Sequence, residues 1–136
     1  MKVMTRVLVV DDQTPFRRAA RAVVTMTPGF DVVGEAETGE QAVELAHELA
    51  AELVLMDVKL PGISGIEATR RVVAAHPGTI VVLLSTYDLD ELPGAATSGA
   101  VTYVAKDSFG PDLLADIWAR REELLQALRT GGFAAA

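Results

Sequence analysis

The sequence predicts a doubly wound α/β domain, a parallel sheet with helices on both faces. Three observations predict it. Five short runs rich in β-branched and aliphatic residues recur along the chain, segments of helical periodicity separate them, and the connections are short. Alternation of that kind implies right-handed crossovers between parallel strands.

Val7 to Val10, Leu53 to Met56 and Ile80 to Leu84 are apolar without alternation, as strands covered on both faces are. Phe30 to Ala36 and Val101 to Ala105 are more mixed and read as edge strands. The first helix carries Phe16, Ala19, Ala20, Val23 and Val24 on one stripe, with Thr14 expected as N-cap and Pro15 at the first helical position. Thr38 with Gln41, and Ser64 with Glu67, have capping-box spacing for the second and third helices. A fourth helix after Asp88 meets Pro93-Gly94 at once; an interior proline costs about 3 kcal/mol, so this helix should be short, irregular or displaced. The last helix should start near Pro111, place Leu113, Leu114, Ile117, Trp118, Leu124, Leu125 and Leu128 on one stripe, and end at Gly131 and Gly132. About five helices are therefore expected.

The chain has 136 residues, 19 acidic against 12 basic, for a net charge of −7. That length suits one compact soluble domain. A sequence pI near 4.7 argues against direct binding of nucleic acid, which needs a basic face. Without cysteine there is no disulfide framework and no thiolate metal site. No apolar run is long enough to span a bilayer, and the N-terminus lacks a signal peptide, so a cytoplasmic location is expected.

In open α/β sheets, functional groups gather beyond the carboxyl ends of the strands. Asp11 and Asp12 follow the first strand, Asp57 the third, Ser85 and Thr86 the fourth, and Lys106 the fifth. Three carboxylates at one edge repel one another, and a hard cation relieves that; Mg²⁺ is commonly held by one or two carboxylates beside a phosphate. A lysine and a small hydroxyl supply the remaining donors for a transferring phosphoryl group, and an Asp can serve as the nucleophile. Each residue also has a plainer reading. Asp11 and Asp12 suit a helix cap, Asp57 a solvated loop acid, Ser85 a structural hydroxyl, Lys106 a surface charge, and Tyr103 a core aromatic. His47 and His76 lie on separate helices without a partner His or Cys and read as surface residues.

From Arg6 to about Arg121 the chain resembles the receiver domain of two-component response regulators. The resemblance rests on Val9-Val10-Asp11-Asp12, Leu55-Met56-Asp57-Val58-Lys59-Leu60-Pro61-Gly62 with Gly65-Ile66-Glu67-Ala68, Leu84-Ser85-Thr86, and Tyr103-Val104-Ala105-Lys106-Asp107-Ser108. The residues around Asp57 and Ser85-Thr86-Tyr87-Asp88 are most similar to the NarL/LuxR-type branch, whose members usually carry a C-terminal helix-turn-helix. The resemblance implies a CheY-like, flavodoxin-like sheet of order 2-1-3-4-5, with residues 1–124 as the receiver and 125–136 as the end of the last helix and a flexible tail or linker stub.

It also implies roles. Asp57 would accept a phosphoryl group from a sensor histidine kinase. Asp12, Asp57 and the carbonyl of Lys59 would ligate Mg²⁺, and Asp11 would orient a metal-bound water. Ser85 matches the switch hydroxyl, Lys106 the cation that pairs with the phosphoryl group, and Tyr103 the aromatic switch. Lys59 also stands two residues past the acceptor, where family members tune hydrolysis. The domain would be no enzyme in the ordinary sense, catalysing only its own phosphorylation and dephosphorylation. Phosphorylation would change protein binding or homodimerisation, and in a longer regulator it would control transcription. The irregular stretch from Asp88 to Gly99 motivates an alternative, a degenerate receiver acting as a phosphorylation-independent interaction or dimerisation module. A phosphohydrolase of the haloacid-dehalogenase type needs a second Asp two residues after the nucleophile, and that position is Lys59.

Overall fold

The computed structural model describes residues 3–136. Five strands form one parallel sheet of order β2-β1-β3-β4-β5: β1 (Thr5–Val10), β2 (Phe30–Ala36), β3 (Leu53–Asp57), β4 (Ile80–Ser85) and β5 (Thr102–Ala105). Helices α1 (Thr14–Met26), α2 (Gly39–Glu48), α3 (Gly65–Ala75), α4 (Pro111–Ala119) and α5 (Arg121–Arg129) cover its faces. The doubly wound fold and the strand order match the expectation.

Alternate residues of the central strands point to opposite faces, which yields two cores. Leu8, Val10, Val54, Met56, Val81 and Leu83 meet Ala42, Ala46 and Val72 on the α2–α3 side. Val7, Val9, Leu53, Leu55, Val82 and Leu84 meet Ala20, Val24, Leu114 and Ile117 on the other. Both sets are buried, which explains why these strands lack polar alternation. Thr38 and Ser64 cap α2 and α3 as expected, accepting from the backbone N–H groups of Gln41 and Glu67 at 3.0 and 3.1 Å.

Two expectations need correction, and two further segments take a definite form. The N-cap of α1 is Gln13 rather than Thr14, because the Asp11 carboxylate accepts from the Gln13 N–H at 2.7 Å and the Gln13 carbonyl takes the first helical hydrogen bond. The last helix is two helices, α4 and α5, joined at Arg120 with ψ near 10°. No Gly or Pro marks that joint, and the leucine stripe runs through it, with Leu124, Leu125 and Leu128 packing on the same core as Leu114. The fourth helix is short and irregular as expected, reduced to two 3₁₀ turns, Leu89–Glu91 and Ala95–Thr97, between β4 and β5. Asp88 and Glu91 do form a capping box, but Pro93 and the left-handed Gly94 (φ +88°) stop propagation after one turn.

The C-terminal residues, expected as the end of the last helix and a flexible tail or linker stub, are placed as follows. Helix α5 ends in a Schellman motif, Gly131 N–H to Leu128 O and Gly132 N–H to Ala127 O, with Gly131 at φ +80°. The chain then runs back along the outer edge of β5. Thr102 Oγ1 donates to Ala134 O at 2.7 Å, Ala136 N–H donates to Tyr103 O at 2.8 Å, and Phe133 packs against the α2–α3 core. This short stretch covers an edge that would otherwise present unpaired backbone groups.

Candidate functional site

The parallel register aligns the strand ends. Val10 lies beside Met56, Asp57 beside Leu84, and Ser85 beside Ala105, so the residues that follow share one edge of the sheet. Asp11, Asp12 and Asp57 offer carboxylate oxygens all within 4.8 Å of one another. The donor set is all oxygen and suits a hard divalent cation.

Lys106 reaches this cluster from the end of β5. Its Nζ lies 2.6 Å from Asp11 Oδ2 and 3.4 Å from Asp57 Oδ1. The ring of Phe16, in the first turn of α1, lies 4.5 Å beneath the ammonium and holds it by a cation–π contact. Asp57 is 4% exposed. Its pKa is raised to about 6, first by burial and then by the negative charge of Asp11, with Lys106 opposing both. A cation placed among the three carboxylates would favour the ionised form.

The backbone is fitted closely around Asp57. Gly65 begins α3 against the end of β3, donating its N–H to Val58 O at 2.9 Å, and a Cβ there would overlap the Asp57 carbonyl. Asp12, Asp57, Lys59, Ser85 and Lys106 line an open cavity of about 280 Å³. A concavity of about 530 Å³ lies elsewhere, near His76 and Trp118, so size alone does not mark this edge.

All the sequence-predicted residues are thus brought together, with different environments. Asp11 is fully buried, one carboxylate oxygen bonding Lys106 while the other accepts the N–H of Gln13, the residue that precedes α1. Asp12 is half-buried, and Lys59 is exposed with its ammonium 5.0 Å from the Tyr87 ring. Ser85 is buried, its Oγ accepting from the Tyr87 N–H at 3.0 Å. Tyr103 is buried too, and its hydroxyl donates to Tyr87 O, with Ser85 O at 3.5 Å. Burial, then the acids Asp88, Asp107 and Glu91, raise the Tyr103 pKa, so it stays protonated and a donor.

Sequence reasoning missed two participants, Phe16 and Arg17, and one side-chain pair outside the site. Phe16 read only as core, although it also seats Lys106. Arg17 donates to the Asp11 carbonyl at 2.8 Å and pairs with Glu35 and Glu37, tying α1 to β2 beside the cluster. His47 and His76, expected to lack a partner, are in contact with each other. The local sequence signalled none of these, because each partner comes from a distant element.

The fold and the strand-end carboxylate cluster define a class, the receiver domain of two-component signalling. The chain belongs to the response regulator receiver domain family, whose family model matches residues 7–118. It is 41% identical over 104 residues to the response regulator GacA of Pseudomonas viridiflava, covering 76% of this chain and 49% of the relative. With GacA of Pseudomonas aeruginosa it shares 38% identity over 127 residues, 93% of this chain and 54% of that protein. The chain therefore spans about half the length of these curated relatives. Among solved structures, the receiver domain of NarL from Mycobacterium tuberculosis superposes with a TM-score of 0.74 at 27% identity, covering 96% of this chain and 97% of that one. A LuxR-family response regulator from Aurantimonas gives 0.75 at 30% identity, covering 91% and 86%. No helix among the described residues is long and apolar enough to cross a membrane.

Proposed function

We propose that Asp57 is the phosphoacceptor of a Mg²⁺-dependent receiver that takes its phosphoryl group from a sensor histidine kinase. The observation that carries this is the convergence of Asp11, Asp12 and Lys106 on a buried Asp57 at the carboxyl edge of the sheet. Asp12, Asp57 and the Lys59 carbonyl would hold Mg²⁺ and Asp11 would orient its water. The ion supplies charge neutralisation for the carboxylates and the phosphoryl oxygens.

An ionised Asp57 oxygen forms the new O–P bond while the P–N bond to the kinase imidazole breaks, and the imidazole nitrogen keeps the electron pair. Lys106 then moves its charge from the carboxylates to the phosphoryl oxygens. Ser85 Oγ, held by the Tyr87 N–H, turns to donate to the same group. Because the Tyr103 hydroxyl bonds the Tyr87 carbonyl, that turn alters the segment between β4 and β5. Catalysis is confined to the domain's own phosphorylation and dephosphorylation, with the exposed Lys59 flanking the path of water to the acyl phosphate.

The proposed setting is cytoplasmic, and the output is a changed protein contact, homodimerisation included. Transcriptional control in a longer chain is supported by 33% identity to the transcriptional regulatory protein DegU of Brevibacillus brevis. The net charge of −7 supports a receiver that leaves contact with nucleic acid to another domain. Intact mass after incubation with Mg²⁺ and acetyl phosphate tests the reading. A gain of about 80 Da is expected in wild type with metal, and none in Asp57→Asn or without metal. Equal uptake by Asp57→Asn would overturn the assignment.

A further inference from the structure

At the opposite end of the sheet from the carboxylates, α2 and α3 finish side by side. His47 stands in the last turn of α2 and His76 is the C-cap of α3. Their rings meet edge to edge, with His47 Nδ1 2.9 Å from His76 Nε2, ring centroids 5.0 Å apart and ring planes 24° apart. In the metal-free protein this is an N–H···N hydrogen bond, in which one ring donates and the other accepts.

We propose that this pair is a second metal site, one that takes a nitrogen-seeking transition dication, Ni²⁺ or Cu²⁺, rather than the hard ion suited to the Asp57 cluster. Three features of the structure support it. The spacing is right for chelation: two nitrogens at 2.0–2.1 Å from one ion lie about 2.9 Å apart at a right angle and about 3.3 Å apart at the tetrahedral angle. The 2.9 Å set by the hydrogen bond equals the right-angled bite, so tetragonal Cu²⁺ or Ni²⁺ requires the rings to turn toward the ion but not to separate, whereas tetrahedral Zn²⁺ would also have to push them apart. Two helix C-termini converge on the pair, and both carry the negative end of the helix dipole. His47 is exposed, and His76 borders the open 530 Å³ groove that also contains Glu52 and Glu122, so water and carboxylates are at hand for the remaining positions.

Uptake requires both facing nitrogens to present lone pairs. The proton now between them moves to the far nitrogen of the donating ring by tautomer exchange, and no proton need leave the neutral pair. The bound ion would pin the ends of α2 and α3 together.

The test is clean because the chain contains two histidines and no cysteine. The untagged chain, in excess Mg²⁺ to occupy the carboxylate cluster, is titrated with Ni²⁺ by calorimetry, and with Cu²⁺ while the electron paramagnetic spectrum is recorded. One equivalent of Ni²⁺ should bind, at least tenfold more weakly in either His47→Ala or His76→Ala, with Zn²⁺ weaker than Ni²⁺ in wild type. The Cu²⁺ spectrum of wild type should show two nitrogen ligands, a readout that does not depend on how the variants fold. Absence of saturable Ni²⁺ binding, equal binding by both variants, or a Cu²⁺ spectrum with fewer than two nitrogens would each overturn the proposal.

Discussion

The carboxyl edge around Asp57 and the segment between β4 and β5 lie next to each other yet are built on different terms. The first rests on β3 and β4, buried along their whole length, with Gly65 pressed against Asp57 and Lys106 seated on Phe16. The second has two single 3₁₀ turns broken by Pro93-Gly94, anchored by the buried Leu92 and Ala95 and flanked by residues 133–136 along β5. A phosphorylation site must hold its groups in place, and a responding surface needs two states of similar energy. Under the proposed function, this difference gives rigidity to the pocket and response to the neighbouring segment.

Matched glycine substitutions give the largest contrast. Gly65→Ala forces the new methyl into the Asp57 carbonyl, so a loss of about 3 kcal/mol is expected from overpacking at rigid backbone, together with loss of phosphoryl uptake. Gly94→Ala carries a left-handed penalty of about 1–2 kcal/mol and meets only the flexible end of Arg70, so phosphorylation should survive. Denaturant melts and intact-mass phosphorylation on both variants check this. Equal effects would remove the distinction between the two regions.

The next effect is electrostatic. The Asp57 pKa is raised from 3.8 to about 6, so burial disfavours its charge in the folded state. The folded protein binds the extra proton between these values, and the stability associated with this group is present below pH 4 and lost as pH rises through 6. Without metal, Asp57→Asn should therefore be more stable than wild type at pH 7 by up to about 3 kcal/mol, a gap that closes between pH 6 and pH 4. Mg²⁺ should narrow it by stabilising wild type alone. A variant less stable than wild type at pH 7 would contradict this account of the cluster.

Smaller effects belong to the C-terminal stretch. Phe133→Ala removes a partly buried ring, and Thr102→Val removes the bond to Ala134. Each should cost about 1 kcal/mol and speed amide exchange at Ala136, while phosphoryl uptake is retained. Uptake lost in either variant would show that the edge of β5 and the pocket are one unit.

Much of this was legible in the sequence because function follows directly on burial. Unbroken apolar runs marked the central strands, and Asp11, Asp57, Ser85 and Lys106 fall at or just past strand ends, so finding the strands found the pocket. Pro93 likewise announced the irregular turn. What stayed hidden depends on distant partners. Phe16 meets Lys106 across the fold, and His47 meets His76 only because α2 and α3 end together. Arg120 breaks the last helix without Gly or Pro, and nothing in Phe133-Ala134-Ala135-Ala136 marks it for the edge of β5.

Hydrogen exchange of residues 85–105 and 133–136, with and without Mg²⁺ and beryllofluoride, tests the central claim most directly, with changes at Asp57 and Lys106 confirming that the analogue is bound. Changed exchange from Tyr87 through Gly99 and at Ala136, with the central strands β1 and β3 unchanged, is the result expected of a rigid pocket coupled to a responsive neighbour. Binding at Asp57 with no change in that segment would contradict the coupling and favour a module whose contacts do not depend on phosphorylation.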